Sequence, residues 1–411
     1  MKLKYSSIQQ CCVYYILAWL LAPPLAYGTV FRVFAILFAT LWMLVEAFHT
    51  RPSDNRSVAK LRQIYHICIM VFSVSLMGSR MLFHDMSLIS AFLTDITTYI
   101  MFLVGYIASK YVAENRWEEL YHIFQFTILL GVVFSLTTIF RNPVYYAITR
   151  SAGGEADAAY NALARQAANH GVGGFGFVCF TSVFAPILLY NYLVNKKNKL
   201  MLIAFAIMQM EVLSAGYTLA LLISITGIGI TLFAHTKTLV IRLLIIMNIV
   251  CIAFFYDSTV KLLYDGLRNL AGDTMYANKV EDVFAFLIGG SSEGTFYSRQ
   301  ERYLTSLRSM FLDYPVLGSY ILAGKRAIGY HSSILDTFAA YGWGIGIVWM
   351  YIIVGYPTKV IKVICNDKWM PVVVFVTFIL TAMFNTYTMH MGAFYFIVPV
   401  MAYGIREQSN G

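Results

Sequence analysis

Runs of about 14–24 mostly apolar residues, separated by polar joints, recur from one end of this chain to the other. In hydrocarbon every backbone N–H and C=O must find its partner inside the protein, so runs of this kind cross a membrane as helices. The expected spans are roughly 8–24, 29–48, 64–82, 88–109, 121–140, 171–194, 200–214, 217–234, 238–256, 332–355, 370–387 and 391–404. The chain reads as an all-α polytopic membrane protein, a single membrane domain over 1–411 with about 12 transmembrane helices. Composition agrees, with 59% hydrophobic and 12% charged residues.

Short loops set the orientation. Lys2 and Lys4, then Arg51, Arg56, Lys60 and Arg62, then Lys110 and Arg116 fall on one side of the expected spans. Lys196, Lys197, Lys199, Lys237, Arg242, Lys359, Lys362 and Lys368 join them there. Basic short loops stay in the cytoplasm, so both termini are expected inside a multi-pass protein of the cytoplasmic membrane. The net charge of +9 is largely explained by these loops, which argues against nucleic acid as a partner. Six cysteines without CxxC spacing argue against a disulfide framework or zinc site, and HExxH is absent, so no metal and no cofactor are expected. The opening MKLK precedes an apolar run without a convincing small-x-small cleavage site, so a retained first span is expected.

Two long loops remain on the outer side, 141–170 and 257–331. The second carries as many acidic as basic residues, which is compatible with export because long loops translocate largely regardless of charge. Loops beyond about 15 residues in a compact protein are usually functional or disordered, and helix-like pieces here favour function. The first loop bears Arg165 and His170 ahead of a run containing Gly171, Gly173, Gly174 and Gly176, which reads first as close packing.

Chemistry concentrates in Ser298–Gly346. Ser298 and Glu301 have capping-box spacing, Leu304, Leu307 and Phe311 follow at helical intervals, and Asp313-Tyr314-Pro315 closes the helix before Gly318. Arg299 and Arg302 fall near the expected helix start, about 60° apart on its surface. Cations are disfavoured there by about 0.3–1 kcal/mol, unless an anion arrives to reverse the sign. Solvation, or pairing with Glu301 and Glu293, is the ordinary alternative. Arg308 lies about 180° from Arg299 and reads as structural. His331 stands just before an apolar run, and Ser332 or Ser333 can cap the helix that follows. Several external arginines in a membrane setting suggest a lipid-linked phosphate or diphosphate.

Other positions read more blandly. Asp95 is expected about 10 Å inside a span, either functional or paired with Arg80 or Arg141. Glu211 falls near the outer end of its span in a tight hairpin, and Arg32 and Glu46 sit at span ends. Gly342, Gly344 and Gly346 are expected to form a small-residue packing face.

The stretch SRQERYLTSLRSMFLDYPVLG, followed by GYHSSILDTFAAYGWGIG, resembles the second large outer loop of Wzy-type O-antigen and capsule repeat-unit polymerases. ALARQAANHGVGGFGF is similar to their arginine-bearing first outer loop, and LSAGYTLALLISITGIGI to a small-residue hairpin of the superfamily. O-antigen ligases share several of these features. They more often carry a Pro-Asn pair near the first loop and Asn after the histidine, where this chain has Ser332. The matching stretches cover about a third of the chain.

The resemblance implies a GT-C-like, inverting, metal-independent glycosyltransferase acting on undecaprenyl-pyrophosphate-linked oligosaccharides at the outer face of the inner membrane. It implies catalytic roles for Arg299, Arg302 and His331, and substrate contacts from Arg165, His170, Tyr303 and Asp336. Partners would be membrane lipid and a chain-length regulator protein. The product would be O-antigen, capsule or exopolysaccharide. A ligase acting on lipid A core is the alternative within the class, and a flippase of lipid-linked sugars the alternative outside it. Charges clustered at the outer edge, and the long second loop, weigh against the flippase.

Overall fold

The computed structural model describes residues 5–22, 29–48, 56–114, 175–194, 199–215, 217–236, 295–323, 327–364 and 368–384, with isolated positions between them. The described residues are overwhelmingly helical, with no strand among them. Five helices among them are long and apolar enough to cross a membrane: Val30–Phe48, Arg56–His84, Ile96–Ala113, Gly176–Val194 and Ser333–Val363. Shorter apolar helices cover Ser7–Leu21, Leu219–His235 and Met370–Phe384. Large apolar side chains such as Val30, Leu37, Leu44, Ile67 and Val74 are exposed, as lipid-facing helices require. This is a helical membrane protein. The expected spans at 121–140, 238–256 and 391–404 lie wholly or largely outside the described residues, as does the loop 141–170.

Two compact units are present, one within 1–231 and 347–411 and the other within 232–346. The first contains helices α1 (Tyr5–Leu21), α2 (Thr29–Phe48), α3 (Arg56–His84), α4 (Leu88–Thr94) and α5 (Ile96–Ala113). It continues with α6 (Phe175–Val194), α7 (Lys199–Ala215) and most of α8 (Thr218–His235). The pairs α1–α2, α3–α5 and α6–α7 pack together. Aromatic rings fill the contacts: Phe72 stacks on Trp349 at 4.6 Å, and Tyr65 stacks on Tyr356 at 4.0 Å. Gly227 lets α8 meet α6 at Pro186, where an added Cβ would come within 2.6 Å of the proline ring. Gln209 and Ser224 exchange hydrogen bonds across the α7–α8 hairpin.

The expected span 88–109 is two helices. A turn at Asp95 separates α4 from α5, so the carboxylate stands at the start of α5 and not well inside a span. Of its weighed alternatives, the structure shows the ion pair: Arg80 donates to both Asp95 oxygens at 3.0 and 3.1 Å.

The second unit contains α9 (Thr295–Arg308), a π-helical turn (Ser309–Asp313), α10 (Gly318–Ala323) and the beginning of α11 (Ser333–Met350). After α11 the chain makes a second π turn (Tyr351–Gly355), then α12 (Tyr356–Ile364) and α13 (Met370–Phe384), all back in the first unit. Three expectations for the second unit are corrected. Helix α9 begins at Thr295, so Ser298 lies inside it and cannot be its N-cap, and Arg302 is two turns in. Beyond the first turn the terminal partial charge has faded, so the expected cation–dipole conflict does not apply to Arg302. The leucine stripe is not the packed face: Leu304 and Phe311 are 55% and 53% exposed, whereas Ser306, Ser309 and Met310 are buried.

The third correction concerns the glycines of α11. They do not share a packing role. Gly342 has φ 78 and ψ 177, outside helical space, and interrupts the helix. Gly346 packs against Phe338, and nothing lies within 4 Å of a Cβ at Gly344. At the interruption the Trp343 N–H donates to the Pro315 carbonyl at 3.0 Å, and the Trp343 indole donates to the Met310 carbonyl at 3.1 Å. Gly318, at φ 77, closes the approach: a Cβ there would lie 2.2 Å from the Ala340 carbonyl oxygen.

Candidate functional site

The site is built where the segment 327–332 crosses α9 on its way to α11. Gly329 makes the crossing possible, since a Cβ there would lie 2.0 Å from the Arg302 carbonyl oxygen. Its N–H donates to Ser306 Oγ at 2.8 Å, and the Ser306 hydroxyl donates to Asp336 Oδ1 at 2.6 Å. The second Asp336 oxygen accepts from the Ser332 N–H at 3.1 Å. Ser332 Oγ in turn accepts from the Leu335 N–H at 3.1 Å, which makes Ser332 the N-cap of α11. Ser306, Ser332 and Asp336 are all buried, so each bond holds a group that water cannot reach.

Between the two anchored amides, Gly329 and Ser332, the chain carries Tyr330 and His331. Tyr330 has φ 62, a left-handed conformation that costs a non-glycine residue about 1–2 kcal/mol. Strain of this kind persists only where the surroundings impose it. His331 is aimed back at α9, and its Nε2 lies 3.0 Å from Arg302 Nη1. A guanidinium only donates, so Nε2 accepts and the ring proton sits on Nδ1. Arg302 is half-buried and gives an N–H to the imidazole.

The candidate residues are therefore distributed as follows. Arg302, His331 and Asp336 are brought into one hydrogen-bonded cluster, with Asp336 acting on the backbone beside the histidine through Ser332. Tyr303 is a half-buried neighbour of Arg302 on α9. Arg299 lies on α9 one turn before Arg302, with its side chain outside the described residues. Arg165 and His170 lie outside the described residues altogether. Among the described residues no three His, Cys, Asp or Glu side chains group in a way that could hold a metal ion.

Ser306, Gly329 and Tyr330 escaped sequence reasoning. Ser306 follows Arg302 by one turn on the same helix face, a spacing visible in the sequence. Its partners, 23 and 30 residues further on, were not visible.

Chemically, the cluster offers a fixed cation beside a neutral imidazole, on a loop held by buried bonds at both ends. No family model matches the chain, and no curated protein matches it significantly.

Proposed function

We propose that the chain is a metal-independent, inverting glycosyltransferase that polymerises undecaprenyl-pyrophosphate-linked oligosaccharide repeat units at the outer face of the bacterial inner membrane. In this reading about twelve spans form a GT-C-like membrane body with both termini in the cytoplasm. A chain-length regulator is the expected protein partner. The observation that carries the reading is the Arg302–His331 pair, held on a tethered loop directly before the apolar helix α11.

A diphosphate leaving group needs its developing charge stabilised more than it needs a proton, so fixed guanidinium groups are the appropriate tool. Arg302, with Arg299 and Arg165, binds the diphosphate through charge-assisted hydrogen bonds. His331 takes the proton of the acceptor hydroxyl, a role open to its neutral form once Arg302 has turned from Nε2 to the incoming phosphate. Tyr303 and His170 contact the sugars. Asp336 positions the loop.

Deletion of the gene followed by analysis of the cell's lipid-linked glycans tests the reading. A ladder collapsed to single repeat units on lipid is the expected result. Unattached full-length polymer would mean a ligase instead, and repeat units trapped on the cytoplasmic side would mean a flippase.

A further inference from the structure

In the first unit a cavity of about 340 Å³ opens between α2, α3 and α5, walled by Trp42, Ile69, Phe102 and Leu103. Tyr106 lines it too, and three side chains converge on that ring. Trp42 meets it edge-on at 6.1 Å, His66 lies at 5.1 Å, and the Arg62 guanidinium sits 5.4 Å from its centroid. Arg62 Nη1 is buried and has no hydrogen-bond partner among the described residues. A buried guanidinium nitrogen without an acceptor is a costly arrangement, and it invites an anion.

The acidic groups nearby are already matched. Glu46, which lines the cavity, is ion-paired with Lys110 and accepts from Gln9 at 2.9 Å. Glu114 lies 3.5 Å from both Lys110 and Arg116. Among the described residues no carboxylate pairs with Arg62, and His66 lies one turn beyond it on α3.

Depth supplies the second constraint. Arg62 and Arg80 are about 27 Å apart along α3 at 1.5 Å per residue, close to the ~30 Å thickness of a bilayer's hydrocarbon core. Arg62 therefore lies near one end of a membrane-length stretch of α3; it does not line the cavity itself, but its guanidinium sits over Tyr106, which does, and the lining residues His66 and Ile69 follow it along α3. We infer that this cavity is a seat for a membrane phospholipid, with one acyl chain between Trp42, Ile69, Phe102 and Leu103 and the phosphate on Arg62 and His66. The site is separate from the Arg302–His331 cluster and stands whether or not that cluster is catalytic.

The full-length protein in detergent micelles, titrated with phosphatidylglycerol carrying brominated acyl chains, tests this by tryptophan fluorescence, because bromine quenches only indoles it touches. A saturable quenching component is expected, absent in Trp42→Phe. Its half-saturation should rise about tenfold in Arg62→Gln and stay near wild type in Arg62→Lys, as loss and retention of a charge-assisted bond dictate. Ala47→Leu, which narrows the cavity from its wall, should abolish saturation while leaving the protein monodisperse. Quenching that rises linearly with lipid, or an unchanged half-saturation in Arg62→Gln, would overturn the proposal. Should Arg62→Gln not fold, a phosphate-free brominated detergent decides: equal saturation by it would show a seat for any chain and sink the phosphate contact, and weaker saturation would support it.

Discussion

Arg302 Nη1 and His331 Nε2 lie 3.0 Å apart, although the two residues are separated by a helix end, a turn and a second helix. Lysine at position 302 would keep a charge but lose the planar fork that grips a phosphate at two points. Arg302→Lys should therefore lower polymer yield at least about tenfold with unchanged protein in the membrane, the loss expected for one charge-assisted bond. Gel separation of the glycans against immunoblots of membranes reads both quantities. A wild-type ladder would remove Arg302 from the chemistry.

His331→Gln separates two roles for the ring. The glutamine amide can still accept from Arg302 but cannot take up a proton at neutral pH. If His331 is the base, polymer formation should be as low in His331→Gln as in His331→Ala. Substantial polymer in the glutamine variant alone would make the histidine a positioning residue.

Ser306→Ala removes a hydroxyl that serves both the Gly329 N–H and Asp336. Each buried group left unsatisfied costs about 1–3 kcal/mol, so the loop should detach from α9. Thermal unfolding in detergent should shift downward, and activity should fall further than the stability change accounts for. Ser306→Thr, which keeps the hydroxyl, should recover part of both. Activity indifferent to Ser306→Ala would show that the tether is dispensable.

Gly342→Ala and Gly344→Ala should behave in opposite ways although only two residues separate them. At Gly342 an added Cβ would lie 2.1 Å from the Val316 carbonyl oxygen, and the backbone occupies a region open essentially to glycine alone. At Gly344 the same Cβ meets nothing within 4 Å. Gly342→Ala should fail to accumulate in membranes, whereas Gly344→Ala should reach wild-type levels. Equal levels would deny the break in α11.

Arg80 and Asp95 form a half-buried, two-pronged pair, so single replacements strand a charge. Asp95→Asn and Arg80→Gln should each reduce the detergent-extracted folded fraction, and the double variant should recover much of it. A double variant worse than both singles would give Asp95 a duty beyond pairing.

Much of the scaffold could be read from residue order alone. Apolar runs located α1, α2, α6, α7 and α8 to within a few residues, because in lipid the length of a run is the span, whereas α3 begins eight residues before the expected 64–82. The interruptions at Asp95 and Gly342 were invisible for the same reason: hydropathy continues straight through both, and what ends the helix at Gly342 is the Pro315 carbonyl, 28 residues upstream of its donor. On α9 the helical spacing of Leu304, Leu307 and Phe311 does not mark the packed face. In this chain leucines at 304 and 312 lie outward, and serines at 306 and 309 carry the buried bonds. Arg302 and His331 were legible as types suited to a phosphate, while the strained Tyr330 between the anchored amides depends on contacts no local pattern encodes.

A helix interrupted at a glycine ordinarily works as an elbow. In this protein the elbow is splinted: the Trp343 amide is seated on Pro315, and the Gly318 backbone lies directly against that of Ala340 and Gly342. Flexing at Gly342 would pull the end of α9 along with it, since Met310 is fastened to the same tryptophan. Gly342 is thereby a brace and not a hinge, holding the beginning of α11 and the π turn after α9 as one piece.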